Sequence, residues 1–223
     1  MILAYHRFET KVADSMAVTT SRFASQLDYL AEHHAAAIPL RSVVEALAAK
    51  RPLPSGVVIT VDDGHRTVYT DMLPLVRRHR IPVTLFIYPS AISNAAYAMT
   101  WPQLQELKDS GLFDIESHTY WHPNFKTEKR RLTPDAYEEF VRMQLGKPRQ
   151  VLKTKLGTAA DLLAWPFGIF DDDLMSHAAA AGYVAAFTLQ ARSVSPSDRL
   201  LALPRFLMTE GVSDKRFAAI VGR

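Results

Sequence analysis

The chain has 223 residues, a length that fits one large domain or two small ones. With 48% hydrophobic and 22% charged residues a substantial core can form, and no apolar run reaches the ~18 residues of a membrane helix. A net charge of +3 with only short basic clusters (Arg77-Arg78-His79-Arg80 and Lys129-Arg130-Arg131) excludes a broad nucleic-acid footprint, and the lack of cysteine excludes disulfides and Cys-ligated zinc.

In chain order, the first residues lack the basic start and long apolar middle of a signal peptide, and 2–5 read as a core strand. Thr20 or Ser21 is placed to cap a helix that carries Phe23, Leu27 and Leu30 on one face. A short strand near 37–40 and a helix over 42–49 precede the apolar strand 57–61. A helix over 65–79 follows, with Pro74 kinking it or marking a late start. Strand 83–88 leads to helix 101–110, with Leu104 and Leu107 inward and Gly111 as its stop. After strand 113–117, Thr133 opens a helix over 134–156 that the spacing predicts is interrupted near 146–148. Strand 162–165, helix 171–181 stopped by Gly182, and strands 184–188 and 201–208 complete the pattern.

This β-α alternation argues for a parallel sheet covered by helices. Seven or eight such units in a chain of this length favour an α/β fold of one domain over 1–223, a distorted, TIM-like (β/α) barrel of about seven strands. Active sites of such barrels collect at the C-terminal ends of the strands. His6, Asp62, Asp63, His118, Pro166 and Phe167 all stand at such ends.

Asp63, His118 and His122 make a three-ligand set that leaves a divalent ion an open position. Imidazole and carboxylate together suit zinc, with cobalt or nickel as alternatives. A helical turn after strand 113–117 would bring His118 and His122 to one side. Asp62 remains free as a base, and Gly64 permits the turn that aims both carboxylates at the rim. Taken alone, Asp-Asp-Gly is equally a turn or a helix cap. His6 is either structural or an acid for a leaving amine. His33, His34, His65, His79 and His177 read as surface residues. Arg205 is either half of a structural ion pair or a group that keeps Asp62 ionised. Tyr88, Tyr120, Trp121 and Phe167 could floor a sugar site or simply pack in the core.

Thr60-Val61-Asp62-Asp63-Gly64 resembles the Thr-Phe-Asp-Asp-Gly motif of the polysaccharide deacetylases, the NodB-homology group of carbohydrate esterases. His118-Thr119-Tyr120-Trp121-His122 is similar to their His-Ser/Thr-x-x-His motif, and 73–75 and 81–86 are similar to the segment between the two. The third motif departs from the family: 163–168 lacks the usual Arg. No general-acid His motif stands near the C-terminus, and Ile2-Leu3-Ala4-Tyr5-His6 opens the chain instead. That order resembles the rearranged members that deacetylate poly-N-acetylglucosamine. The resemblance implies metal-dependent de-N-acetylation of an N-acetylated glycan, with Asp62 as base and Asp63, His118 and His122 as metal ligands. It further implies His6 as acid and the Phe167 N–H as oxyanion donor; beyond the resemblance, we read Leu203-Pro204-Arg205 as the source of the missing Arg. The family favours the cell envelope, periplasm or exterior, which requires a leader removed; a native start at Met1 would mean the cytoplasm. A non-catalytic glycan binder and a different metal hydrolase are the rival readings. The glycan and the oligomeric state are not written in the motifs.

Overall fold

Short, mostly apolar runs form most of the strands, and the amphipathic stretches between them form the helices, in a computed structural model that describes residues 1–222. In chain order the elements are β1 (Ile2–Tyr5), β2 (Arg7–Glu9), β3 (Ala17–Thr19), α1 (Thr20–Glu32), α2 (Leu40–Ala48), β4 (Val58–Val61), α3 (Leu73–His79), β5 (Val83–Ile87) and α4 (Trp101–Asp109). There follow β6 (Phe113–Ser117), α5 (Phe125–Arg131), α6 (Pro134–Leu156), β7 (Leu162–Ala164), α7 (Asp172–Ala180), β8 (Ala185–Phe187), β9 (Phe206–Leu207) and α8 (Asp214–Val221).

Seven parallel strands form one sheet in the order β8-β7-β6-β5-β4-β1-β9. The sheet curls until one segment touches both of its ends. Leu203 exchanges backbone bonds of 2.8 Å with Ala186 and Thr188 beside β8, while Phe206 and Leu207 pair with Leu3 and Ala4 of β1. The result is a distorted (β/α) barrel in a single domain. A separate parallel pair, β2 with β3, extends the chain beyond β1.

Strand side chains alternate in direction. Leu3, Tyr5, Ile59, Val61, Leu85 and Ile115 belong to the larger core, shared with Phe23, Leu27 and Leu30 of α1 and Leu104 and Leu107 of α4. The other parity, Ile2, Val58, Phe86, Leu162, Ala164 and Phe187, packs with Leu40, Val43 and Val44 of α2. Counting on by twos along the inward rows of β1, β4, β5 and β6 reaches His6, Asp62, Tyr88 and His118. The strand period itself therefore delivers polar groups to one rim.

Several local expectations need correction. The cap of α1 is Thr19, whose hydroxyl accepts from the Arg22 N–H, rather than Thr20 or Ser21. The strand near 37–40 is a single bridge from Ala37 to Val57, because Pro39 ends it and Leu40 already begins α2. The stretch 65–79 opens with a wide π turn at Val68–Met72, and of the two readings of Pro74 the late start holds, since it sits in the first turn of α3. Helix α6 runs unbroken through Gly146 and Pro148. Its buried Val141, Leu145, Leu152 and Leu156, at roughly 1.5–3 kcal/mol each, outweigh the ~3 kcal/mol penalty of an interior proline. The segment 201–208 is not one strand: Leu200–Ala202 is a helical turn, Pro204 has no N–H to donate, and the ladder resumes only at Phe206. The basic clusters 77–80 and 129–131 lie at the C-terminal ends of α3 and α5, where cations face the helix dipole.

Candidate metal centre and active site

The turn after β4 is made by two successive left-handed residues, Asp63 (φ +75°) and Gly64 (φ +77°). A left-handed Asp is tolerated better than most non-glycine residues. The turn swings the Asp63 carboxylate away from the direction of Asp62 while keeping both at the rim.

His118 and His122 reach the same point by a route different from the expected helical turn. Thr119 (φ +66°) and His122 (φ +63°) are both left-handed, so the segment folds back on itself. The two imidazole rings stand 4.6 Å apart, edge to face. His118 Nε2 lies 3.6 Å and His122 Nε2 3.7 Å from Asp63 Oδ1. One ligand atom from each of these three residues lies within 4.8 Å of the other two.

The chemistry of this set fits a divalent cation. Asp63 Oδ1 is buried and makes no hydrogen bond, and burial pushes its carboxyl above the usual range. The His118 Nδ1–H donates to the Ala164 carbonyl at 2.7 Å, which leaves the Nε2 lone pair free. Burial lowers the His118 pKa to about 3 and lowers that of His122 as well, so both imidazoles are neutral, the form that ligates metal.

Asp62 has the opposite environment. Burial alone would raise its pKa, but the Arg205 guanidinium holds it well below the carboxylate range, helped by His118. Arg205 is fully buried and grips both oxygens, Nη1 to Oδ1 at 2.8 Å and Nη2 to Oδ2 at 2.7 Å. Its Nε donates to the Thr188 carbonyl at 3.1 Å, and Nη1 also reaches Thr60 Oγ1 at 3.0 Å. Arg205 is therefore both an ion-pair partner and the group that keeps Asp62 ionised.

His6 Nε2 stands 3.9 Å from Asp62 Oδ2, and its ring is buried with Nδ1 unpartnered. Phe167 takes a left-handed φ of +57°, is 57% exposed, and sets its ring 4.6 Å from that of His122. Trp121 is 40% exposed and rests edge-on against Phe140. One face of the Tyr120 ring is occupied by Lys147 Nζ, 4.0 Å from its centre, which leaves that ring less open surface than Trp121 or Phe167. Tyr88 lies against His122, 5.4 Å between rings, and its hydroxyl bonds that of Tyr97 at 2.7 Å. Tyr97 was not foreseen, because it lies in the irregular stretch 89–100 where no periodicity points to a face. His65, read as a surface residue, is half-buried with Nδ1 2.9 Å from Thr67 Oγ1.

A family model described as polysaccharide deacetylase matches residues 49–186, more than half of the chain. The poly-beta-1,6-N-acetyl-D-glucosamine N-deacetylase of Staphylococcus aureus (strain MRSA252) is 24% identical, the match covering 98% of this chain and 76% of that protein. The Staphylococcus epidermidis protein of the same name is 26% identical over 90% of this chain and 71% of its own length. Among solved structures, IcaB from Ammonifex degensii superposes with a TM-score of 0.85 at 25% identity, covering 100% of this chain and 97% of the other. Streptococcus pyogenes deacetylase PplD, solved with acetate, shares the fold with a TM-score of 0.86 at 21% identity, over 99% and 96% of the two chains.

Proposed function

The chain belongs to the polysaccharide deacetylase family, and from that premise we propose that it removes N-acetyl groups from a β-1,6-linked N-acetylglucosamine polymer in a metal-dependent reaction. One observation carries the reading: a buried Asp63 carboxylate oxygen with no hydrogen bond converges with two neutral imidazoles beside a second carboxylate held ionised. Asp63, His118 and His122 would hold the ion, with zinc first and cobalt or nickel as alternatives. When bound, the ion supplies Lewis-acid polarisation of the acetyl carbonyl and acidifies water.

Asp62 takes the proton of the attacking water. Arg205 keeps that carboxylate charged and fixes its orientation. The Phe167 N–H donates to the oxygen on which negative charge develops. The C–N bond then breaks, and His6 delivers a proton to the departing nitrogen, giving free amine and acetate. Burial lowers the His6 pKa, and the nearby Asp62 and Asp63 carboxylates draw its proton affinity back up. Trp121 and Phe167 offer exposed rings on which a pyranose can stack. We place the reaction in the cell envelope, where an exopolymer is within reach.

The test is acetate release from poly-β-1,6-N-acetylglucosamine, chitin oligomers and peptidoglycan, with protein stripped of metal and then restored. Release from the first alone, abolished by stripping and recovered with zinc, is the expected result. Glycan binding without acetate release would instead assign a non-catalytic role.

A further inference from the structure

Five consecutive amide N–H groups, from His118 to His122, form the backbone of the ligand loop, and none of them bonds as in a helix. His118 N–H donates to the Ile87 carbonyl at 2.8 Å, which merely continues the sheet. Thr119 N–H donates to Ser117 Oγ at 3.3 Å, and His122 N–H donates to Thr119 Oγ1 at 3.2 Å. The two that remain, Tyr120 and Trp121, both donate to one atom, Gln144 Oε1, at 3.2 and 3.1 Å.

Gln144 is fully buried on the stripe of α6 that carries Val141 and Leu145. Its amide nitrogen meets only Met143 Sδ at 3.7 Å, so the acceptor end is the one in use. The loop it grips holds two non-glycine residues in the left-handed region, one of them β-branched, each costing about 1–2 kcal/mol if unsupported. Without Gln144, the Tyr120 and Trp121 N–H groups would lose their protein partner, and the loop would have reason to relax into a form that separates the imidazoles.

We propose that Gln144 is a positioning residue for the ion site: its side-chain carbonyl pre-forms the spacing of His118 and His122 before any ion arrives. The inference rests on the metal-site reading above. Gln144→Met keeps the volume and removes the acceptor; Gln144→Glu keeps acceptor oxygens. Zinc affinity of the folded proteins is measured by competition with a chelating dye. Gln144→Met is expected to bind zinc about 10–100-fold more weakly, with Gln144→Glu restoring affinity to within about threefold of the wild type. A Gln144→Met protein that melts lower but binds zinc as the wild type does would overturn the proposal, since a purely structural glutamine predicts that result. Hydrogen exchange on the metal-free wild type tests the same point without a variant. The Tyr120 and Trp121 amides should exchange at least about 100-fold slower than free peptide, and exchange at free-peptide rates would refute pre-formation. If the wild type binds no zinc, the metal-site reading itself fails, an outcome distinct from equal binding by wild type and variant.

Discussion

Asp62 and Asp63 are neighbours with the same side chain, and burial would raise the pKa of each. Only Asp62 has a guanidinium clamped across both oxygens, so its carboxyl lies well below the usual range while that of Asp63 lies above it. In the proposed mechanism this difference assigns Asp62 as the base and Asp63 as a ligand. Removing Arg205 reverses the balance at Asp62: burial then prevails, the pKa rises, and the ionised base is lost at a higher pH. Arg205→Met is therefore expected to move the acidic limb of the kcat/KM profile to higher pH, and an unmoved limb would remove Arg205 from the mechanism. Asp62→Asn should retain zinc on dialysis yet lower kcat about 10²–10⁴-fold, the range for loss of a general base. His118→Ala removes a ligand, so its metal content after the same dialysis should fall well below that of Asp62→Asn.

The elements show why some of this was legible in the sequence and some was not. β1, β4 and β5 are largely apolar runs and β6 alternates apolar with polar residues; in each, the period of two carries the inward row on to the residue just past the strand, which is His6, Asp62, Tyr88 and His118 in turn. The loop 118–122 was not legible, because its bonds come from Gln144 on α6, and no local rule predicts left-handed Thr119. Gln144 did leave a signal, an amide on the Val141–Leu145 stripe of an amphipathic helix, which is weak without the knowledge of what faces it. The unbroken course of α6 was likewise decided by packing on both sides of Pro148 rather than by propensity. Gly64 is a position where local and tertiary demands agree: φ is +77°, and an added Cβ would stand 2.9 Å from Ile87 Cγ2 and 3.1 Å from Ile92 Cδ1. Gly64→Ala should cost about 2–4 kcal/mol from left-handed strain and overpacking, read as a lower urea midpoint with unchanged slope.

At the scale of the whole barrel, the two ends of the inward rows have different duties. The C-terminal rim holds the candidate chemistry. Further down β6, on the same inward parity, Asp114 and Glu116 meet Arg41 of α2, which also pairs with Asp161. Glu116 is fully buried; burial pushes its pKa up to about 8, while the Leu162 N–H and Arg41 act to hold it down. A carboxyl with a folded pKa raised above its unfolded value favours the native state most at low pH, and that contribution is lost as pH rises toward 8. Arg41→Met takes away the cation that makes the charged form tolerable, so the loss extends further into the alkaline range. Breaking a fully buried pair costs 3–5 kcal/mol, but the Arg41 side chain is 40% exposed and solvent shares its charge, so about 2 kcal/mol is the expected loss at pH 9. For a chain of this size that is a fall of roughly 4–8 °C in Tm, shrinking at pH 5, where Glu116 is protonated with or without Arg41. Zinc affinity and kcat/KM should stay at wild-type values in the folded variant. A Tm deficit equal at both pH values would show that Arg41 acts through packing or through Asp114 and Asp161, and not through the buried carboxyl of Glu116.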